Sequence, residues 1–175
     1  MVKIKKIDNR IVYSFNNLLH REDGPSIIEY YENGSIESEQ YYINGKLHRE
    51  NGPADINYTE SGIILAEFYY QNDQIYRKNG PSEIWYYDNT SIMSEKYRLN
   101  GKLHRENGPA KIQYYKNGSI KRENYFFNGK KIDLENLPFH FPVDTEEKEL
   151  YMKLKYGLKN EWRLLGWRKL VKNNI

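Results

Sequence analysis

Leu19-His20-Arg21-Glu22-Asp23-Gly24-Pro25 decides the fold, because it comes back. It returns as Leu47-His48-Arg49-Glu50-Asn51-Gly52-Pro53, as Ile75-Tyr76-Arg77-Lys78-Asn79-Gly80-Pro81 and as Leu103-His104-Arg105-Glu106-Asn107-Gly108-Pro109. The spacing is 28 residues, held without a slip over units 19–46, 47–74, 75–102 and 103–130. Residues 11–18 read as the end of an earlier unit, and 131–138 as a decaying fifth start. Self-similarity at a fixed period marks a stacked architecture, in which each unit contacts mainly its neighbours.

Inside a unit the first segment alternates. Ile28 and Tyr30 share a strand face, repeated as Ile56/Tyr58, Ile84/Tyr86 and Ile112/Tyr114. A turn follows, Glu32-Asn33-Gly34-Ser35 in the first unit and Lys116-Asn117-Gly118-Ser119 in the fourth. The second segment places Glu39 with Tyr41, then Glu67/Tyr69, Glu95/Tyr97 and Glu123/Tyr125. Asn44-Gly45-Lys46 makes a second turn, and Gly-Pro resets the chain. The third unit is the loosest, with Thr90 where others have Gly and Arg98 where others have an aromatic. Two strands and two tight turns leave no room for a helix. The pattern predicts a mainly β fold: an elongated antiparallel β-meander over residues 1–138, then an α-helical cap over residues 139–175.

The composition agrees. There are 17 tyrosines among 175 residues, and alanine occurs only at 54, 66 and 110. That bias favours strands and turns over helical bundles. High aromatic content with a net charge of +3 argues against disorder. The absence of cysteine excludes disulfides, thiolate metal sites and a Cys nucleophile. Residues 1–8 lack the apolar core of a signal peptide, and no apolar stretch approaches the ~18 residues of a membrane span. The expectation is a soluble, intracellular protein.

The alternation of Tyr-Tyr-x-Asn-Gly turns with Leu-His-Arg-Glu-Asp/Asn-Gly-Pro resembles the MORN-repeat variants abundant in giant DNA viruses of amoebae. Related variants occur in bacterial proteins, some of them antitoxin or immunity components. The resemblance covers about residues 11–138 and implies a β-meander with a non-catalytic, protein-binding role in a host cytoplasm or virion. It brings no active site with it.

The recurring motif tempts a catalytic reading, since His20-Arg21-Glu22-Asp23 brushes against a kinase catalytic loop. No Gly-rich loop, strand lysine or Asp-Phe-Gly accompanies it. A shared metal fails on geometry. His20, His48 and His104 occupy the same repeat position, and units two strands apart stand roughly 10 Å from each other, against Zn–N bonds of ~2 Å. No catalytic residue, metal or cofactor is therefore expected. The arginines Arg21, Arg49, Arg77 and Arg105, and the glutamates Glu39, Glu67, Glu95 and Glu123, instead suggest a structural ladder of cross-strand ion pairs.

Tyr31, Tyr87 and Tyr115 alternate to the opposite face from the strict tyrosines, with Thr59 replacing the second copy. A row of outer aromatics is a candidate partner-binding surface, for a protein or for stacked bases. Beyond Phe139 the turns vanish. Asp144 and Glu147 have capping-box spacing, Leu150, Leu154 and Leu158 mark a helix face, and residues 161–172 carry Trp162 and Trp167. The two tryptophans suit either a cap or a docking element. Residues 145–175 hold eight Lys/Arg against four Glu, while residues 1–144 hold 19 Lys/Arg against 20 Asp/Glu. The expected function is a non-enzymatic protein–protein interaction or scaffold module. Homo-oligomerisation through the sheet edge or the C-terminal helices is open to it. The alternatives are nucleic-acid binding through outer tyrosines and the basic C-terminal helices, and an antitoxin- or immunity-type binder.

Overall fold

The computed structural model describes residues 2–132. The expected helical cap, with Trp162 and Trp167, lies outside the described residues. An opening hairpin of β1 (Val2–Ile7) and β2 (Arg10–Phe15) leads to β3 (Leu18–Leu19). The first unit then supplies β4 (Ile27–Tyr30), β5 (Ile36–Gln40), β6 (Tyr42–Ile43) and β7 (Lys46–Leu47). The second supplies β8 (Asp55–Tyr58), β9 (Ile64–Phe68), β10 (Tyr70–Gln71) and β11 (Gln74–Ile75). The third supplies β12 (Glu83–Tyr86), β13 (Ile92–Lys96), β14 (Arg98–Leu99) and β15 (Lys102–Leu103). The fourth closes with β16 (Lys111–Tyr114), β17 (Ile120–Phe127) and β18 (Lys130–Ile132).

The main sheet runs β1-β2-β4-β5-β8-β9-β12-β13-β16-β17-β18, with β3 on β2. Every pairing is antiparallel. This is the meander the repeat implies. At ~4.8 Å per strand the sheet is about 50 Å wide, against roughly 14–17 Å along its four- or five-residue strands, so order along the chain becomes order along an axis.

One feature departs from the sequence pattern. In the first three units the second strand stops short of the strict tyrosine, at Gln40, Phe68 and Lys96, and in the first of them Tyr42–Ile43 pairs instead with Lys46–Leu47. These small hairpins turn on Asn44-Gly45 and Asn100-Gly101, whose backbones are all in the left-handed region, as a two-residue primed turn requires. Tyr41 still donates its N–H to Ala54 O at 2.8 Å, so the break leaves no orphan amide.

The larger turns use a bulge. Register shifts between Glu29/Tyr30, Asn57/Tyr58, Trp85/Tyr86 and Gln113/Tyr114 recur at the same point of each unit. Gly34, Gly62 and Gly118 take φ of +84°, +80° and +81°, and Thr90 is held at +64° in the third copy. Among the described residues no helix is long and apolar enough to cross a membrane.

Candidate protein-binding face

The register divides the sheet into two faces of different character. On the first, Ile28, Glu39, Ile56, Glu67, Ile84, Glu95, Ile112 and Glu123 follow one another across the strands. Ile56, Ile84 and Ile112 are only 6–7 % exposed, so Glu67 and Glu95 sit between buried aliphatics, Glu39 lies beside one, and all three need partners. Tyrosine supplies them. Tyr58 donates to Glu39 Oε2 at 2.8 Å, Tyr86 to Glu67 at 2.9 Å and Tyr114 to Glu95 at 2.8 Å. Burial, and next the bond to the carboxylate, push these three phenols well above their ordinary pKa, which keeps them protonated donors.

The arginines lie on the same face but do not reach the glutamates. Among the described residues no ion pair joins the two sets, which corrects the expected Arg–Glu ladder. A tyrosine stands between them. The guanidinium carbons of Arg21, Arg49, Arg77 and Arg105 lie 4.1, 3.8, 3.9 and 3.7 Å above the rings of Tyr13, Tyr41, Tyr69 and Tyr97. Each Nη1 also donates to the carbonyl of the proline four residues on, Pro25, Pro53, Pro81 and Pro109, at 3.3, 3.1, 3.5 and 3.3 Å. The side chain thereby passes directly over the intervening glycine. A Cβ at Gly24 would lie 2.8 Å from Arg21 Cζ, and Gly80 has φ +135° besides. The spacing Arg-x-x-Gly-Pro is the imprint of that crossing.

The histidines have a local use. His20, His48 and His104 accept through Nδ1 from the backbone N–H of Asn44, Asn72 and Asn128 at 3.1, 3.3 and 3.2 Å. Each therefore ties its own motif to the small hairpin turn 24 residues further on. Among the described residues no group of three or more His, Cys, Asp or Glu is placed to hold a metal.

Of the outer tyrosines, Tyr31 donates its hydroxyl to Tyr58 O at 2.7 Å and Tyr87 to Tyr114 O at 2.9 Å. Both are half-buried tie-bars between successive turns. Tyr115 stays 51 % exposed.

The second face carries two cross-strand rows. The first reads Arg10, Glu29, Ser38, Asn57, Ala66, Trp85, Ser94, Gln113, Arg122; the second reads Val12, Ile27, Gln40, Asp55, Phe68, Glu83, Lys96, Lys111, Asn124. Ser38, Ala66 and Ser94 form a buried floor between bulkier neighbours, while the other positions change chemistry from unit to unit. Phe68 and Trp85 meet edge to face at 5.7 Å in the middle. Glu83, 5 % exposed, is neutralised by Lys96 at 2.6 Å and by Arg98, the residue that replaces an aromatic. Among the described residues Asp55 has no such cation. Burial pushes it up to about 6, a bond from Asn57 opposing the shift and Glu29 adding to it. Sequence periodicity does not pick out these positions. What singles them out is the register, which aligns unlike residues in two continuous rows.

Comparison with protein-family models, with curated proteins and with solved structures returned no match for this chain.

Proposed function

We propose that the chain is a MORN-like repeat module that binds another protein through its second face and carries out no chemistry of its own. The observation that supports this is the contrast between the faces. One repeats the same Arg, Tyr and Glu in every unit and uses them on one another. The other keeps the same backbone and floor but varies its remaining side chains, which is how a repeat scaffold accommodates a specific partner. The half-buried Trp85 is the anchor such a surface needs, with amides and charges around it.

The test is affinity capture from the native host with the wild-type chain, Asn57→Lys/Gln113→Glu and Tyr115→Ser. A specific protein partner lost with the double variant and kept with Tyr115→Ser supports the reading. Equal capture by all three removes the second face from it. A nucleic-acid reading draws on Tyr115, whose ring has Lys121 Nζ 5.6 Å above it. Salt-sensitive binding of single-stranded RNA, lost in Tyr115→Ser, would replace the protein-binding reading with that one.

A further inference from the structure

The near-balance of charge over residues 1–144 hides an order that the linear sheet exposes. Unit 19–46 has two Lys/Arg and six Asp/Glu, and unit 47–74 one and five. Unit 75–102 has five and three, and unit 103–130 six and two. The net charges along the sheet axis are thus −4, −4, +2 and +4. The ladder face contributes nothing to this gradient, since each unit gives it one Arg and one Glu. The second face shares in it, with Glu29, Asp55 and Glu83 followed along its rows by Lys96, Lys111 and Arg122, and the turns hold the rest.

From β4 to β17 the main strands number eight, and their midpoint falls between β9 and β12. Ala66 faces Trp85 and Phe68 faces Glu83 across that line, so the sign change coincides with the aromatic pair. A two-fold axis along the strands at this midpoint reverses the order of the units and lays each row on its own copy. Glu29 on the first strand then meets Arg122 of the copy on the eighth, and Gln40 on the second meets Lys111 on the seventh.

We propose that the partner of this face is a second copy of the chain, packed face to face and antiparallel about that axis. This rests on the reading of the face as a binding surface and names its occupant. Charge complementarity carries the choice, because a dipolar strip is self-complementary only when reversed. The area is sufficient: about 38 Å across eight strands by roughly 14 Å buries on the order of 1,000 Å² over both copies, at the lower limit of a specific interface. Arg10 already lies 3.4 Å from Glu29, so the added pair makes a three-member network instead of rescuing an isolated acid.

Sedimentation velocity on the full chain, from 1 to 200 μM at low salt, tests this. A reversible dimer is expected, loosened severalfold by 0.5 M salt. Glu29→Arg and Arg122→Glu should each weaken it at least tenfold, because each places two like-charged pairs in the interface. Mixing the two variants should restore a heterodimer, and so should combining both changes in one chain. A wild-type monomer at every concentration overturns the proposal, as does a dimer indifferent to both variants or a mixture that fails to associate. If the chain is monomeric and the Asn57→Lys/Gln113→Glu variant still loses a captured protein, the face binds a different partner and only the self-pairing fails.

Discussion

Along one face of the sheet Arg49, Arg77 and Arg105 each lie over a tyrosine beside a ladder glutamate; along the other, equivalent positions read Ile27, Asp55, Glu83 and Lys111. The backbone is the same for both. What differs is where the side chains find partners. A ladder residue is satisfied by its own unit and the adjoining one, so changing it breaks a bond in each. A second-face residue is satisfied ad hoc, as Glu83 is by Lys96 and Arg98, or is left costly, as Asp55 is. The first pattern holds a stack together at every step. The second leaves chemistry free to vary along the stack.

The sharpest way to break this contrast is Arg77→Ala. It removes a partly desolvated ring stack on Tyr69 and a charged hydrogen bond to Pro81 O, and about 2–3 kcal/mol of stability should go with them. Gln113→Ala, on the varied face, should stay within about 0.5 kcal/mol. Urea unfolding of both variants decides it, and equal midpoints would mean the ladder does not hold the units.

The second test asks whether the varied face really tolerates strain. Asp55 titrates near 6 in the folded chain against an ordinary 3.8, so its ionisation opposes folding. Its favourable contribution is complete below pH 3.8 and lost as pH rises through 6. Asp55→Asn should therefore raise stability at pH 7 by about 1–2 kcal/mol, less than the full shift would carry because the carboxylate keeps some solvent. The gain should fade as pH drops from 6 towards 4. Urea midpoints that differ by a constant amount from pH 4 to 8 would sink this account.

The period, the turn positions and the sharing of faces were all readable in the residues, because each depends on local spacing. The partner of each arginine was not. Spacing places Arg49, Tyr41 and Glu39 on one face but does not say which two touch, and an aromatic ring competes well with a carboxylate for a guanidinium. The first arginine meets both kinds of partner. Ile11 stands where later units have the ladder glutamate, and Arg21, stacked on Tyr13, takes Asp23 at 2.8 Å where later motifs have Asn. That bond is the first cause of the lowered pKa of Asp23. The charge gradient escaped for a different reason. A count over 144 residues has no axis, and only a linear strand order turns composition into polarity.

The smallest effect probes the row of turns that joins the two faces. Thr90 occupies a left-handed position, φ +64°, that Gly fills in the other three units. A β-branched residue there carries about 1–2 kcal/mol of strain. Thr90→Gly relieves it, and the greater freedom of glycine in the unfolded chain returns part of the gain. A net stabilisation of about 0.5–1 kcal/mol should remain, seen as a rise in Tm of a few degrees. Thr90 N–H donates to Tyr87 O at 2.9 Å, a backbone bond that glycine keeps, so no lost contact can mask the outcome. An unchanged or lower Tm would mean that the third unit, loosest in sequence, depends on its threonine, and that turn chemistry belongs with the varied face instead of the ladder.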